Sequence, residues 1–193
     1  METTTDPNEP LLPPGRIRLE LADYLALPND GKRYEVLDGD LYVSPAPKLR
    51  HQSILGLLYV ALVNALQFTG KGRVYQAPTD VHLAKHDVVQ PDLLFVSTER
   101  SGILTEDRVE GAPDLVVEVL SPGNRARDRG IKSRRYAKAG VRVYWIVDPR
   151  HDLLEVYTLE GRSYRQVSVT RSPGVYESPD FPGVKIMLKE IFA

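Results

Sequence analysis

At 193 residues the chain is long enough for one domain with a substantial core and too short for two comfortable ones. Its 42% hydrophobic and 26% charged residues are those of a soluble globular protein, and the lack of cysteine excludes disulfides and thiolate metal centres and suits a cytoplasmic setting. The formal charge of −1 argues against a general nucleic-acid coat, yet Arg125 to Lys138 holds seven basic residues against Asp128 alone, so that segment is +6 and the remainder −7.

Residues 1–16 are polar and Pro-rich, and they predict a disordered tail ahead of one domain over 17–193. Neither a signal peptide nor a membrane-length apolar run is expected. IRLELADYLALP suggests a short amphipathic helix ending at Pro28. RYEVLDGDLYVSP then predicts a hairpin about Asp38-Gly39, a dipeptide suited to a type I′ turn. Glu35 shares a strand face with Leu37 and is either a solvated strand residue or a carboxylate near a site. Lys48 to Phe68 predicts one long helix, with Ile54, Leu55, Leu58, Leu62 and Leu66 at helical spacing. His51 in its first turn is an exposed or capping residue, or one that reaches a phosphate or a water. His82, His86 and His151 lack any zinc-site spacing. GRVYQAPTDVHLAKHD is expected to form one core strand, made an edge or bulge by Pro78.

The centre of the chain carries the strongest signal. QPDLLFVS and PDLVVEVLSP are short, Val- and Leu-rich runs bounded by Pro and Ser, as strands in a sheet core are. Each holds an acid, Asp92 and Glu118. A carboxylate on a buried strand loses hydration and must be protonated, paired or bound to a cation. If the two strands pair in register, the acids lie across from each other, with backbones ~5 Å apart. Between the runs, Ser97 to Ala112 reads as a loop or short helix. After SPGN comes the basic helix RARDRGIKSRRYAKAG, on which Asp128, Lys132 and Tyr136 share a face. A divalent-cation site flanked by Lys132 is the expectation, and a surface salt bridge from Asp128 to Lys132 is the plainer alternative. VRVYWIVD, LLEVYTL and SYRQVSV predict a β-meander, and DFPGVKIML suggests a subunit contact in a homodimer.

The order acid-bearing strand, acid-bearing strand, helix, strand resembles the PD-(D/E)XK, or restriction-endonuclease-like, nuclease superfamily, and within it the Uma-type family. The matching residues are Tyr34-Glu35, Asp38-Gly39, Pro45 to His51, Pro91-Asp92 and Glu118 to Pro122. They continue with Asp128, Lys132, Tyr136, Gly140-Val141, Tyr144-Trp145 and Asp148-Pro149. The resemblance covers roughly residues 17 to 192. It implies an α/β (mixed α+β) fold, a restriction-endonuclease-like mixed sheet flanked by helices, with an N-terminal hairpin and a C-terminal meander. One position departs: the superfamily's usual lysine position, two after the Glu, is Leu120. In this branch the lysine is thought to have moved to the following helix, which makes it Lys132.

The resemblance thus implies a metal-dependent endonuclease acting on nucleic acid, DNA above all. Mg²⁺, with Mn²⁺ as the alternative, would be held by Asp92, Glu118 and, by the resemblance, the Val119 carbonyl. Lys132 would orient or deprotonate the water, and Glu35 and His51 would stand near the site. Arg125, Arg127, Arg129, Arg134 and Arg135 would meet the phosphate backbone in a salt-dependent manner. Leu120 keeps open a catalytically silent nucleic-acid-binding module on the same fold. A paired-carboxylate glycosidase is the more distant alternative.

Overall fold

The computed structural model describes residues 17–193; the predicted disordered tail lies outside the described residues. In chain order, α1 (Leu21–Leu25) leads into the hairpin β1 (Arg33–Leu37) and β2 (Asp40–Ser44). Then α2 (Leu49–Leu62), extended by a π-helical turn (Val63–Gln67), precedes β3 (Gly72–Gln76), β4 (Val81–Ala84), β5 (Asp87–Val89) and β6 (Leu93–Ser97). A 3₁₀ turn (Thr98–Ile103) and β7 (Val109–Glu110) bring the chain to β8 (Leu115–Val119). The basic segment is helical throughout: α3 (Arg125–Arg127), a π turn (Asp128–Lys132) and α4 (Ser133–Ala139). The meander is β9 (Val143–Asp148), β10 (Leu153–Glu160) and β11 (Ser163–Arg171), followed by β12 (Val175–Glu177), β13 (Lys185–Met187) and α5 (Leu188–Ile191).

A six-stranded mixed sheet, order β11-β10-β9-β8-β6-β3, forms the middle layer. Its one parallel pair, β8 with β9, is joined by the helical segment, because a parallel connection needs a crossover. Strand alternation divides its residues cleanly. Leu93, Phe95, Leu115, Val117, Val119, Val143 and Trp145 face α2 and the C-terminal segment. Leu94, Val96, Val116, Leu120, Tyr144 and Ile146 face a second, five-stranded sheet, order β2-β1-β5-β4-β7, together with Tyr136 of α4. The predicted hairpin is present, with Asp38 at φ 54° and Gly39 at φ 82°, as a type I′ turn requires.

Three expectations are corrected. GRVYQAPTDVHLAKHD is not one strand: β3 lies at the edge of the central sheet and β4 in the other sheet. Proline has no N–H to continue the ladder, and the chain leaves the central sheet at Pro78. DFPGVKIML is not left for a subunit contact, since Phe181, Val184, Ile186 and Leu188 are buried in the chain's own core beside Leu58 and Leu62 of α2. Finally, Leu49–Gln67 is long and apolar enough by composition to cross a membrane. Here its Ile54, Leu55, Leu58, Leu62 and Leu66 pack on the central sheet, which accounts for that composition.

Candidate active site

β6 and β8 pair antiparallel with Leu93 opposite Val117 and Leu94 opposite Val116. One step further along the same register, Asp92 meets Glu118. Both alternate onto the face that carries Leu94 and Val116, so the two carboxylates project toward the same side. That side is where the crossover helix packs. Asp92 and Glu118 are 2% and 1% exposed.

Each acid is held differently. Asp92 Oδ2 accepts the Val119 N–H at 2.9 Å and lies 3.2 Å from His51 Nε2. Its Oδ1 accepts from Arg33 Nη1 at 3.1 Å. Burial by itself would raise the Asp92 pKa, but His51, Arg33 and the Val119 N–H outweigh it and hold the carboxyl below its usual range. Glu118 Oε1 takes Lys132 Nζ at 2.6 Å and the Tyr136 hydroxyl at 2.7 Å. Burial pushes Glu118 up to about 8; Lys132 opposes that shift, while Asp128, Asp92 and Glu35 add to it. Two neighbouring carboxylates are thereby driven apart in proton affinity.

Lys132 is the hub. Its Nζ also lies 2.8 Å from Glu35 Oε1 and 3.9 Å from Asp128 Oδ1, and the side chain is 2% exposed. Burial disfavours its charge, yet Glu118, Glu35 and Asp128 together hold the ammonium well above the ordinary lysine range. The surface salt bridge considered for Asp128 and Lys132 is therefore a buried cluster. The helix is locally π rather than uniformly α across Asp128–Lys132, a feature that often marks functional sites. Asp128 is fully buried, neither of its carboxylate oxygens has a hydrogen-bond partner among the described residues, and burial first, then Asp92 and Glu35, raises it to about 6.

Glu35 is likewise buried rather than solvated. It accepts the Gln90 N–H at 3.0 Å, and burial's upward push is outweighed by Lys132 and Gln90, so its pKa is lowered. His51, in the first turn of α2, turns inward, and its Nδ1 has no hydrogen-bond partner among the described residues. Arg33, Glu35, His51, Asp92, Glu118 and Lys132 line a cleft of ≈ 220 Å³, closed on one side by residues 43–48, which run from the end of β2 to the start of α2, and on another by the Ser121–Asn124 turn. Arg33 was missed by sequence reasoning, although it sits two residues before Glu35 on β1, and strand period alone puts them on one face.

The arginines of the basic segment are less available than their count suggests. Arg125 makes two 2.7 Å bonds to Asp148, and Arg129 bonds Glu155 at 2.5 and 3.0 Å. Arg127 bonds Ser44 Oγ at 2.8 Å, lies 3.8 Å from Glu35 and stacks 5.5 Å over the Tyr42 ring. Arg135 is paired with Asp87 and Asp38. Arg134, by contrast, is exposed. Neutralising a carboxylate on a distant strand anchors the helix, so the segment's high charge is in large part structural.

These pairings lead to two expected results. Glu118→Gln mimics the protonated acid. A folded-state pKa above the unfolded one means stability that is present below about pH 4.5 and lost as pH rises through about 8. Thermal melts should therefore show Glu118→Gln more stable than wild type at pH 8 to 9, with the gap closing toward pH 5; a gap that widens toward acid would contradict the assignment. Asp148 behaves oppositely. Burial would raise it, but Arg125, His151 and the Arg150 N–H hold it far below the carboxylate range. Its contribution is present above the ordinary Asp pKa of about 3.9 and lost at lower pH. Asp148→Asn should cost about 1 kcal/mol at neutral pH, because the partly exposed Arg125 it leaves unpaired is rehydrated by solvent, and should flatten the acid limb of the stability curve measured by denaturant titration.

A metal ion fits the chemistry of this donor set. Hard carboxylate oxygens of Glu35, Asp92 and Glu118 line one cleft, a donor chemistry that suits a hard cation. Among the described residues no three His, Asp or Glu side chains already converge on one point. Lys132 stands between Glu35 and Glu118, and two carboxylates with waters are the number Mg²⁺ commonly takes from protein.

Comparison with known proteins concerns the chain as a whole. A family model, Uma2, described as "Putative restriction endonuclease", matches residues 21–189. Among solved structures, the "putative nuclease belonging to DUF820 from Anabaena variabilis ATCC 29413" superposes with a TM-score of 0.76 at 19% identity, covering 90% of this chain and 97% of that one. At that identity the likeness concerns the fold. No curated protein matches the chain significantly.

Proposed function

The chain belongs to the Uma2 family of putative restriction endonucleases, and from that premise we propose that it is a metal-dependent endonuclease hydrolysing DNA phosphodiesters in the cleft of Asp92, Glu118 and Lys132. The observation that carries this reading is the placement of Asp92 and Glu118 opposite each other on adjacent strands, with Lys132 reaching Glu118 from the crossover helix. A lysine on that helix supplies the cation that Leu120 cannot.

Asp92, Glu118 and, from the family pattern, the Val119 carbonyl would hold Mg²⁺ or Mn²⁺. When bound, the metal would supply an activated water and charge relief at a non-bridging phosphate oxygen. The protein's own groups divide the remaining work. His51 and the Val119 N–H fix the Asp92 carboxylate in one orientation. Tyr136 does the same for Glu118. Lys132 stays protonated, so it favours orienting water and steadying the charge that develops on the phosphate over removing a proton. The Nδ1 of His51 is buried without a partner among the described residues, and a small turn of the ring would offer it to a phosphate oxygen or the leaving oxygen. Arg33 and Arg127 line the same cleft and add positive charge where a phosphate would enter.

The test is cleavage of single-stranded, double-stranded and branched DNA and of RNA, each with Mg²⁺, Mn²⁺ or EDTA. Internal cleavage of DNA only when metal is present is the expected result. Cleavage in EDTA would rule out a metal requirement. Binding of DNA with no cleavage under any condition would make the protein a silent binding module.

A further inference from the structure

Beside the carboxylate cleft lies a second cavity of ≈ 290 Å³ that the proposed chemistry does not use. Leu120, Pro122 and Pro149 supply its apolar surface. Lys48, Arg50, Arg125 and Arg150 surround it, and among the described residues none that lines it is acidic. It shares Lys48, His51, Ser121 and Pro122 with the carboxylate cleft, so the two cavities are neighbours across His51 and the 121–122 turn.

We propose that this cavity receives one unpaired nucleobase, the neighbour of the phosphate being cut, and that the preferred substrate carries an unpaired nucleotide there. The proposal rests on the nuclease reading and deepens it. Apolar floor and cationic rim match the two parts of a nucleotide: a base that loses water gladly and phosphates on either side of it. A continuous duplex cannot satisfy both, because its bases are stacked inside and only its phosphates reach the surface. Enzymes that accept a base out of the stack place it between apolar or aromatic side chains. Two proline rings and a leucine offer such faces. The rim is partly compensated, as Arg125 is held by Asp148 and Arg50 by Asp152 at 2.7 Å. Arg150 is exposed, and its backbone N–H, not its guanidinium, is what bonds Asp148. It is therefore the rim cation best placed to pair with a phosphate.

Leu120 gains a role on this reading. At the position where the wider superfamily carries its lysine, an apolar side chain 3% exposed forms the floor of the base cavity.

The experiment uses the full chain in EDTA, so that binding is read without cleavage. Three probes are compared by fluorescence anisotropy: a continuous duplex, the same duplex with one bulged thymidine, and the same bulge carrying an abasic tetrahydrofuran residue. The bulged thymidine should bind about tenfold more tightly than the abasic bulge, the scale of one stacked base. Arg150→Glu should weaken binding and reduce its salt dependence. With 4-thiothymidine in the bulge, photocrosslinks should fall on peptides containing Leu120 to Pro122 or Pro149-Arg150. Equal affinity for thymidine and abasic bulges, or crosslinks confined to other surfaces, would overturn the proposal. Absence of cleavage in metal would count against the nuclease reading alone, since the binding result stands without it.

Discussion

Lys132→Met is expected to lower turnover about a hundredfold or more at equal folded fraction, the scale on which removal of one fixed charge-stabilising group acts. It should also destabilise the protein by about 3–5 kcal/mol, because it strands buried acids that a buried cation now compensates. In wild type Glu35 and Glu118 lie 2.8 and 2.6 Å from the ammonium, and the Asp128 carboxylate has no hydrogen bond among the described residues. With the ammonium gone, Glu35 loses the strongest partner that lowers its pKa and Glu118 loses the strongest influence that opposed its rise. Both acids then bind protons more tightly folded than unfolded. The stability deficit should therefore be largest at high pH and shrink toward pH 5. Adding Glu118→Gln to Lys132→Met should recover part of that stability and none of the turnover. Lys132→Arg keeps the charge, but its planar fork is a poor substitute for a compact ammonium in a filled site, so it should recover stability better than activity. Wild-type cleavage by Lys132→Met would sink the assignment of the helix lysine.

Asp92→Asn should reduce metal-dependent cleavage to background while the fold persists. Its effect on stability is expected to have the opposite sign to that of Glu118→Gln. Arg33, His51 and the Val119 N–H all favour a charged Asp92. An amide cannot satisfy them equally, since its NH₂ would face a donor on one side. Asp92→Asn should therefore melt below wild type at pH 8, where Glu118→Gln melts above it. Simple repulsion between two acids in one site would make the variants alike; the side-chain partners make them differ. A shift of the same sign in both melts would show that the partners drawn around Asp92 do not govern its charge.

How far could this be read from residues alone? Period-two alternation in QPDLLFVS and PDLVVEVLSP was enough to put Asp92 and Glu118 on inward-facing positions, and the observed register meets that expectation. The hairpin at Asp38-Gly39 and the β9 to β11 meander were equally legible, because local turn chemistry determines them. Leu120 said that the strand carried no lysine; the family resemblance, not spacing, pointed to Lys132. What escaped depends on contacts between residues far apart in the chain. The acids that bind Arg125, Arg129 and Arg135 are Asp148, Glu155 and Asp87, and no local pattern pairs them. Arg33 was hidden for the same reason, as its partner Asp92 lies 59 positions away. The split of GRVYQAPTDVHLAKHD between two sheets turns on one missing proline N–H, whose consequence depends on which sheet is near. The π turn at Asp128–Lys132 has no sequence period to announce it, and it lies where two buried charges meet.

The most direct measurement is anomalous diffraction from crystals of the wild-type protein grown with Mn²⁺. One strong manganese peak is expected within coordinating distance, about 2.0–2.3 Å, of an oxygen from Asp92 and of an oxygen from Glu118. The same peak should vanish in Glu118→Gln crystals. A manganese bound elsewhere, or held by only one of the two carboxylates in a protein that cleaves DNA, would contradict the shared metal site.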